Sequence, residues 1–311
     1  MNSSESGIFQ HVKALPDPEV KRRFAALIGL DEIKGRLLKE AQLLIEPTAL
    51  EDWSRKFHGG VLPAVRAFFD RPPLFLFTGD VGTGKTALAE TFGDSLARSM
   101  NIPLTLYALS LNARGTGAVG EMSSLLSAAF AKIGAEAKKG VGKGKRSLSA
   151  VILLIDEADA FAQSREFSQM HHEDRAGVNA LIRGVDTLAT GKLPAIVIMC
   201  TNRIDSIDPA VKRRASVIFK FERPSEGQRV SVLRDAFDGV GFTTEQIQAL
   251  AKATGRNAQR PYGCTYSDLV QRFIPSLILN SFPEGPLRFD RAISFSSSFQ
   301  PTAPFKEEMP S

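Results

Sequence analysis

Nearly unbroken apolar runs of strand length recur along the chain: Leu74-Phe75-Leu76-Phe77-Thr78, Leu104-Thr105-Leu106, Val151 to Ile155, Ala195 to Cys200 and Val217 to Phe221. Stretches with helical spacing separate them. Strands that are apolar on both faces suit the interior of a sheet. Their alternation with helices predicts an α/β fold, a mostly parallel sheet covered by helices on both sides. After Phe221 the pattern becomes helical only. Ser225-Glu226-Gly227-Gln228 and Thr243 to Gln246 have the form of capping boxes, and Ile247, Leu250 and Ala251 follow at helical spacing. A further stripe of Leu269, Val270, Phe273, Ile274, Leu277 and Ile278 completes the pattern of a smaller helical lid domain. Past Ser281 the chain is rich in Pro, Ser and Phe without helical periodicity, and it ends in a polar tail. Trp53 and Phe57, four residues apart, predict packing along a helix.

Composition narrows the class. The 311 residues, 43% of them apolar, are enough for one large domain and a smaller one. The N-terminus lacks a basic segment followed by an apolar one, and no apolar run reaches membrane-spanning length, so neither export nor a membrane role is expected. The two cysteines, Cys200 at the end of an apolar run and Cys264, suit a reducing cytoplasm. A net charge of +5 is modest, and Lys138, Lys139, Lys143, Lys145 and Arg146 concentrate the basic excess in one glycine-containing loop. Such a balance is too weak to establish nucleic-acid binding.

The chemistry enters at the first long strand. Gly79-Asp80-Val81-Gly82-Thr83-Gly84-Lys85-Thr86 follows Leu74 to Thr78 and precedes a helix-like segment, the order required of a phosphate-binding loop. Its glycines let backbone N–H groups turn toward phosphates, and the helix N-terminus adds a favourable dipole. Lys85 can reach the β and γ phosphates, and Thr86 can ligate magnesium. The lysine and hydroxyl favour a triphosphate over a dinucleotide.

Asp156 and Glu157 end the strand Val151 to Ile155, at the sheet edge where open α/β folds bind ligands. Asp156 suits magnesium, and Glu157 suits orientation or deprotonation of an attacking water. Asn202, after the next strand, is either a γ-phosphate sensor or a turn residue. Arg213 and Arg214 precede the last strand. They form either a solvated surface or, in a ring, a contact to a neighbouring subunit's γ phosphate.

With these motifs the chain resembles the AAA+ ATPases from Ile28-Gly29-Leu30 through Ile278. The resemblance implies that Ile28 and Leu30 pack near adenine, that Asn202 is sensor 1, and that Arg214, with Arg213 as second choice, is the arginine finger. It divides the chain into an N-terminal arm (1–27), a large ATP-binding domain (28–223), a helical lid (224–285) and a C-terminal tail (286–311). Within that superfamily Arg175 to Ile182, Ile207 to Ala215 and Pro224-Ser225 are most similar to the pachytene-checkpoint type. These ATPases unfold part of HORMA-domain proteins, and they have bacterial relatives beside cGAS-like antiviral enzymes. The expected protein is a homo-hexamer using ATP and magnesium to disassemble or inactivate a HORMA signalling complex in bacterial anti-phage defence. A DNA-associated AAA+ ATPase, of helicase or clamp-loader type, is the alternative. Two departures stand out. Ala118, beside Val119 and Gly120 in the expected pore loop, occupies a position that is aromatic in many such motors, which implies a weaker grip. Thr265-Tyr266-Ser267-Asp268 replaces the turn that usually introduces a sensor 2 arginine, leaving Arg272 either a substitute or a surface residue. His171 and His172 fall near the expected second pore loop, where substrate contact outweighs a metal site.

Overall fold

The computed structural model describes residues 7–109, 121–142, 146–158, 172–258 and 260–304, with side chains undescribed at 172–174. Within that range the chain forms two compact units. The first comprises the described residues among 1–25, 32–78 and 86–220, and the second the described residues among 26–31, 79–85 and 221–311.

The first unit is built on a six-stranded sheet. In chain order its elements are β1 (Phe9–Leu15), α1 (Pro18–Ala25), α2 (Asp31–Ile45), α3 (Thr48–His58), β2 (Leu74–Gly79), α4 (Lys85–Met100), β3 (Leu104–Leu109) and α5 (Glu121–Lys139). Then follow β4 (Ala150–Ile155), α6 (His172–Thr190), β5 (Ala195–Thr201), the short α7 (Pro209–Lys212) and β6 (Ala215–Phe221). The spatial order is β1-β3-β4-β5-β2-β6. The pairs β3/β4, β4/β5 and β5/β2 are parallel, so the mostly parallel α/β sheet expected from the apolar runs is present. All of β4 and β5 is buried, which explains their unbroken apolar sequence.

Two layers of side chains hold the helices on the sheet. Leu126, Phe130 and Ile133 of α5 and Val178, Leu181 and Val185 of α6 join Leu153 and Val197 in one core. Each such buried side chain contributes about 1.5–3 kcal/mol relative to exposure. Gly184 lets α6 approach α5, because a Cβ there would sit 2.2 Å from the Phe130 ring. Elsewhere in the unit, Phe75 and Phe77 meet Phe219 edge-on at 5.6 and 5.5 Å.

The second unit contains α8 (Glu226–Ala236), α9 (Thr244–Ala253), a π-helical turn (Asp268–Phe273) running into α10 (Ile274–Leu279), and α11 (Phe289–Ser298). Both expected capping boxes form, Ser225 with Gln228 and Thr243 with Gln246. The apolar stripes meet in one core around Leu233, Leu250, Leu269 and Phe273.

Two elements carry little signal in the sequence. The segment expected as an N-terminal arm contains β1, an antiparallel edge strand on β3, anchored by Phe9 against Tyr107 at 5.0 Å. Its sequence, FQHVKAL, buries only Phe9 and Leu15, too sparse a pattern to announce a strand. The Pro/Ser/Phe-rich segment contains α11, which buries Ala292 and Ser296, so small residues conceal the period. Trp53 and Phe57 meet at 6.3 Å along α3, the helix contact expected from their spacing, although they are 45% and 63% exposed.

Candidate nucleotide-binding site

The phosphate loop leaves β2 after Thr78, which pairs with Thr201 of β5. Gly79 has φ +153°, and a Cβ there would lie 2.0 Å from the Phe221 carbonyl oxygen, so a side chain is excluded. Gly82 (φ +75°) is equally constrained, its ideal Cβ falling 2.7 Å from Thr265 Oγ1. Within the loop the buried Thr83 hydroxyl donates to the Asp80 carbonyl at 2.8 Å. The Lys85 ammonium, also buried, donates to the carbonyls of Gly79 at 2.9 Å and Asp80 at 2.8 Å. Val81 stands exposed at the tip, and Thr86 is half-buried in the first turn of α4. That 16-residue helix has no acid in its first turn. A buried lysine, constrained glycines and an uncompensated helix N-terminus fit a polyphosphate.

The carboxylates occupy the end of β4. Asp156 is half-buried, and its Oδ1 accepts the Glu157 N–H at 2.9 Å. Glu157 is exposed and has φ +51°, a left-handed conformation that costs an L-residue roughly 1–3 kcal/mol. Ile155 pairs with Met199, so β4 and β5 end at one edge of the sheet. There Thr201 Oγ1 accepts the Arg203 N–H at 2.9 Å, closing a turn that carries the half-buried Asn202. Asp156, Glu157 and Asn202 therefore share the carboxyl edge of the sheet.

Asp208 caps α7 by accepting the Ala210 N–H at 2.7 Å. The two arginines that follow differ in environment. Arg214 makes a fork with Asp186 of α6, Nε to Oδ1 at 2.8 Å and Nη2 to Oδ2 at 3.0 Å, and adds a bond from Nη1 to the Ala210 carbonyl at 3.2 Å. Hydrogen bonding to Asp186 holds its guanidinium pKa above the ordinary arginine value. Arg213 is exposed, with Nε 3.4 Å from the Pro209 carbonyl.

In the second unit Ile28 packs against the helical core, and Leu30 is buried with its Cδ1 3.1 Å from the ideal Cβ of Gly84. The Gly29 carbonyl accepts from Gln228 Nε2 at 2.6 Å and from the Tyr266 hydroxyl at 3.3 Å. Burial pushes the Tyr266 phenol up to about 12, keeping it a neutral donor. The Ser267 N–H donates to the Gly82 carbonyl at 3.1 Å. Residues 28–30, the loop and the turn at Thr265–Ser267 are thus brought together. Gln228 and Tyr266 were not anticipated as partners of Gly29, nor Ser267 as a partner of the phosphate loop, and only the capping role of Gln228 had a sequence signal. Arg272 bonds Asp268 at 2.8 Å, Thr302 Oγ1 at 3.2 Å and the Gln300 carbonyl at 3.2 Å, all within the second unit. The expected pore-loop residues Ala118, Val119 and Gly120, and His171, lie outside the described residues.

Residues 75–223 match the model of the ATPase family associated with various cellular activities (AAA). CD-NTase-associated protein 6 of Escherichia coli (strain MS 115-1) is 47% identical over 298 residues, covering 96% of each chain. A chain in the solved E. coli MS115-1 HORMA:CdnC:Trip13 complex superposes with a TM-score of 0.92 at 46% identity, covering 98% of this chain and all of that one. The solved Rhizobiales Trip13 gives a TM-score of 0.78 at 42% identity, covering 96% of this chain and all of that one.

Proposed function

The chain belongs to the AAA ATPase family, among the CD-NTase-associated protein 6 proteins, and from that premise we propose that it remodels a HORMA-domain protein in an anti-phage signalling complex, working as a ring of six identical subunits. ATP hydrolysis supplies the work. The observation that carries the target is the likeness, across nearly the whole chain, to the subunit of the HORMA:CdnC:Trip13 complex.

The residues divide the chemistry as follows. Lys85 exchanges the carbonyls of Gly79 and Asp80 for phosphate oxygens, and the N–H groups from Val81 to Thr86 support the same oxygens. Thr86 and Asp156 would hold magnesium, which would supply positive charge beside the phosphates. Glu157 takes the proton of the attacking water, and Asn202 orients that water or reads the γ phosphate. Ile28 and Leu30 flank the adenine. Arg214, or the more exposed Arg213, stabilises the transition state at the neighbouring subunit's site. For Arg214 that role requires release from Asp186 or delivery of the pair together.

A large ATP-binding domain and a helical lid are part of this reading, with β1 joined to the first and α11 to the second, as are a cytoplasmic location and a light substrate grip through Ala118, Val119 and Gly120. Among the described residues no helix is long and apolar enough to cross a membrane.

Pull-down of cellular partners with Glu157→Gln in the presence of ATP tests the reading. Recovery of a HORMA-domain protein that wild-type turnover releases is expected. Recovery of DNA with replication proteins instead would overturn the target and favour the DNA-associated alternative.

A further inference from the structure

Asp80 is an unexpected residue in a loop that receives a polyphosphate, because its carboxylate repels the ligand. The structure shows what offsets it. Oδ1 accepts the Val81 N–H at 2.9 Å, while Oδ2 receives Arg223 Nε at 2.8 Å and Nη2 at 2.5 Å. Both side chains are largely buried, 17% and 15% exposed, so solvent screens this pair weakly.

The same guanidinium has further partners. Nη1 donates to the Gly263 carbonyl at 2.6 Å, Nη2 also donates to the Thr302 carbonyl at 2.8 Å, and the group lies over the Tyr262 ring at 5.0 Å. Thr302 is in turn fixed by the buried Asp268, which accepts its N–H at 3.1 Å and its hydroxyl at 2.7 Å. Asp268 also accepts the Thr265 N–H at 2.9 Å. Thr265 and Ser267 close on Gly82, as the 3.1 Å bond from the Ser267 N–H to the Gly82 carbonyl shows. The chain of contacts starts on the loop at Asp80, passes through Arg223, Thr302 and Asp268, and returns to the loop at Gly82. All of these residues lie in the second unit.

We propose that Arg223 is a positioning residue for nucleotide binding: it cancels the charge of Asp80 and, through Thr302, makes the C-terminal segment part of the phosphate loop's support. The proposal rests on the reading that this loop binds ATP through Lys85. A guanidinium fork fixes a carboxylate in position as well as neutralising it, which a lysine does poorly. Loss of Arg223 leaves a carboxylate beside the incoming phosphates, a ground-state penalty that ATP and ADP share. KM for ATP therefore rises while kcat at saturation changes less.

The test is binding of a fluorescent ADP analogue with magnesium, alongside steady-state ATP turnover. Arg223→Ala is expected to lose about tenfold or more in affinity, the scale of one uncompensated, weakly screened charge. Asp80→Asn combined with Arg223→Ala is expected to recover most of the loss. A merely structural ion pair shows its rescue in thermal stability, whereas the affinity of the folded variants stays near the parent's, so affinity and Tm measured side by side separate the two readings. Truncation after Gln300, which removes Thr302, is expected to weaken binding. Should Arg223→Ala fail to fold, Arg223→Gln with and without Asp80→Asn makes the same comparison. Binding by Arg223→Ala within twofold of the parent, or a double variant no better than Arg223→Ala, overturns the proposal while Lys85→Ala still abolishes binding. Full binding by Lys85→Ala would instead sink the loop reading itself, and this proposal with it.

Discussion

Glu157 combines a catalytic assignment with a strained backbone, and substitution separates the two. Its φ of +51° sits in the left-handed region, between Ile155 and Ala158, both fully buried, which pin the chain on either side. The conformation costs a glutamate roughly 1–3 kcal/mol that a glycine does not incur. Glycine in turn raises the conformational entropy of the unfolded chain, offsetting about 0.5–1 kcal/mol of the gain. Glu157→Gly is therefore expected to be more stable than the parent by about 1 kcal/mol, within a span of roughly 0–2.5 kcal/mol, a rise of about 2–4 °C in Tm at the centre of that span. Glu157→Gln keeps the strain and leaves Tm unchanged. Both variants lack the base, so ATP turnover falls by roughly a hundredfold to ten-thousandfold while nucleotide binding persists. Thermal melts without nucleotide, paired with phosphate-release assays, measure both quantities. A Tm for Glu157→Gly at or below that of Glu157→Gln refutes the strain argument, and parental turnover by Glu157→Gln refutes the assignment of the base.

Two further outcomes follow from packing and charge. Gly184→Ala places a methyl 2.2 Å from the Phe130 ring, an overpacking cost of about 1–3 kcal/mol only partly offset by about 1 kcal/mol of helix propensity. The Tm should fall by several degrees, and an unchanged or raised value would mean that α5 and α6 separate at little cost. Burial alone would raise the Asp268 pKa, but bonds from Thr265 and Thr302 outweigh it and hold the group below the ordinary aspartate value. A depressed folded-state pKa contributes stability that is present above the unfolded value of about 3.9 and is lost as pH falls through the folded one. Asp268→Asn should be less stable than the parent by roughly 1–3 kcal/mol near neutrality, and denaturant titrations should show that gap closing below about pH 4. A gap constant down to pH 2 would show that the carboxylate's charge is not what Thr265 and Thr302 stabilise.

Legibility in the sequence followed the range over which each feature is decided. Buried parallel strands need apolar residues at consecutive positions, so β2, β4 and β5 were visible as unbroken runs. A phosphate loop is a local backbone device, and its glycines, lysine and threonine lie within eight consecutive residues. Capping boxes span four residues, and both were found where expected. An edge strand that buries two of seven residues, and a helix whose buried positions are Ala292 and Ser296, carry almost no hydrophobic period, and both passed unseen. The ion pairs lie beyond any local pattern. Arg214 meets Asp186 from 28 positions away, and Arg223 meets Asp80 from 143. Neither pairing has a local signal, because each arginine's carboxylate is supplied by a distant element of the fold. The lid shows the same limit. Sequence directed attention to an arginine one turn into the lid helix, whereas the loop is approached there by the backbone of Ser267 and the side chain of Thr265. Short polar residues carry no motif, so a contact made by backbone and hydroxyl groups becomes visible only when both partners are in place.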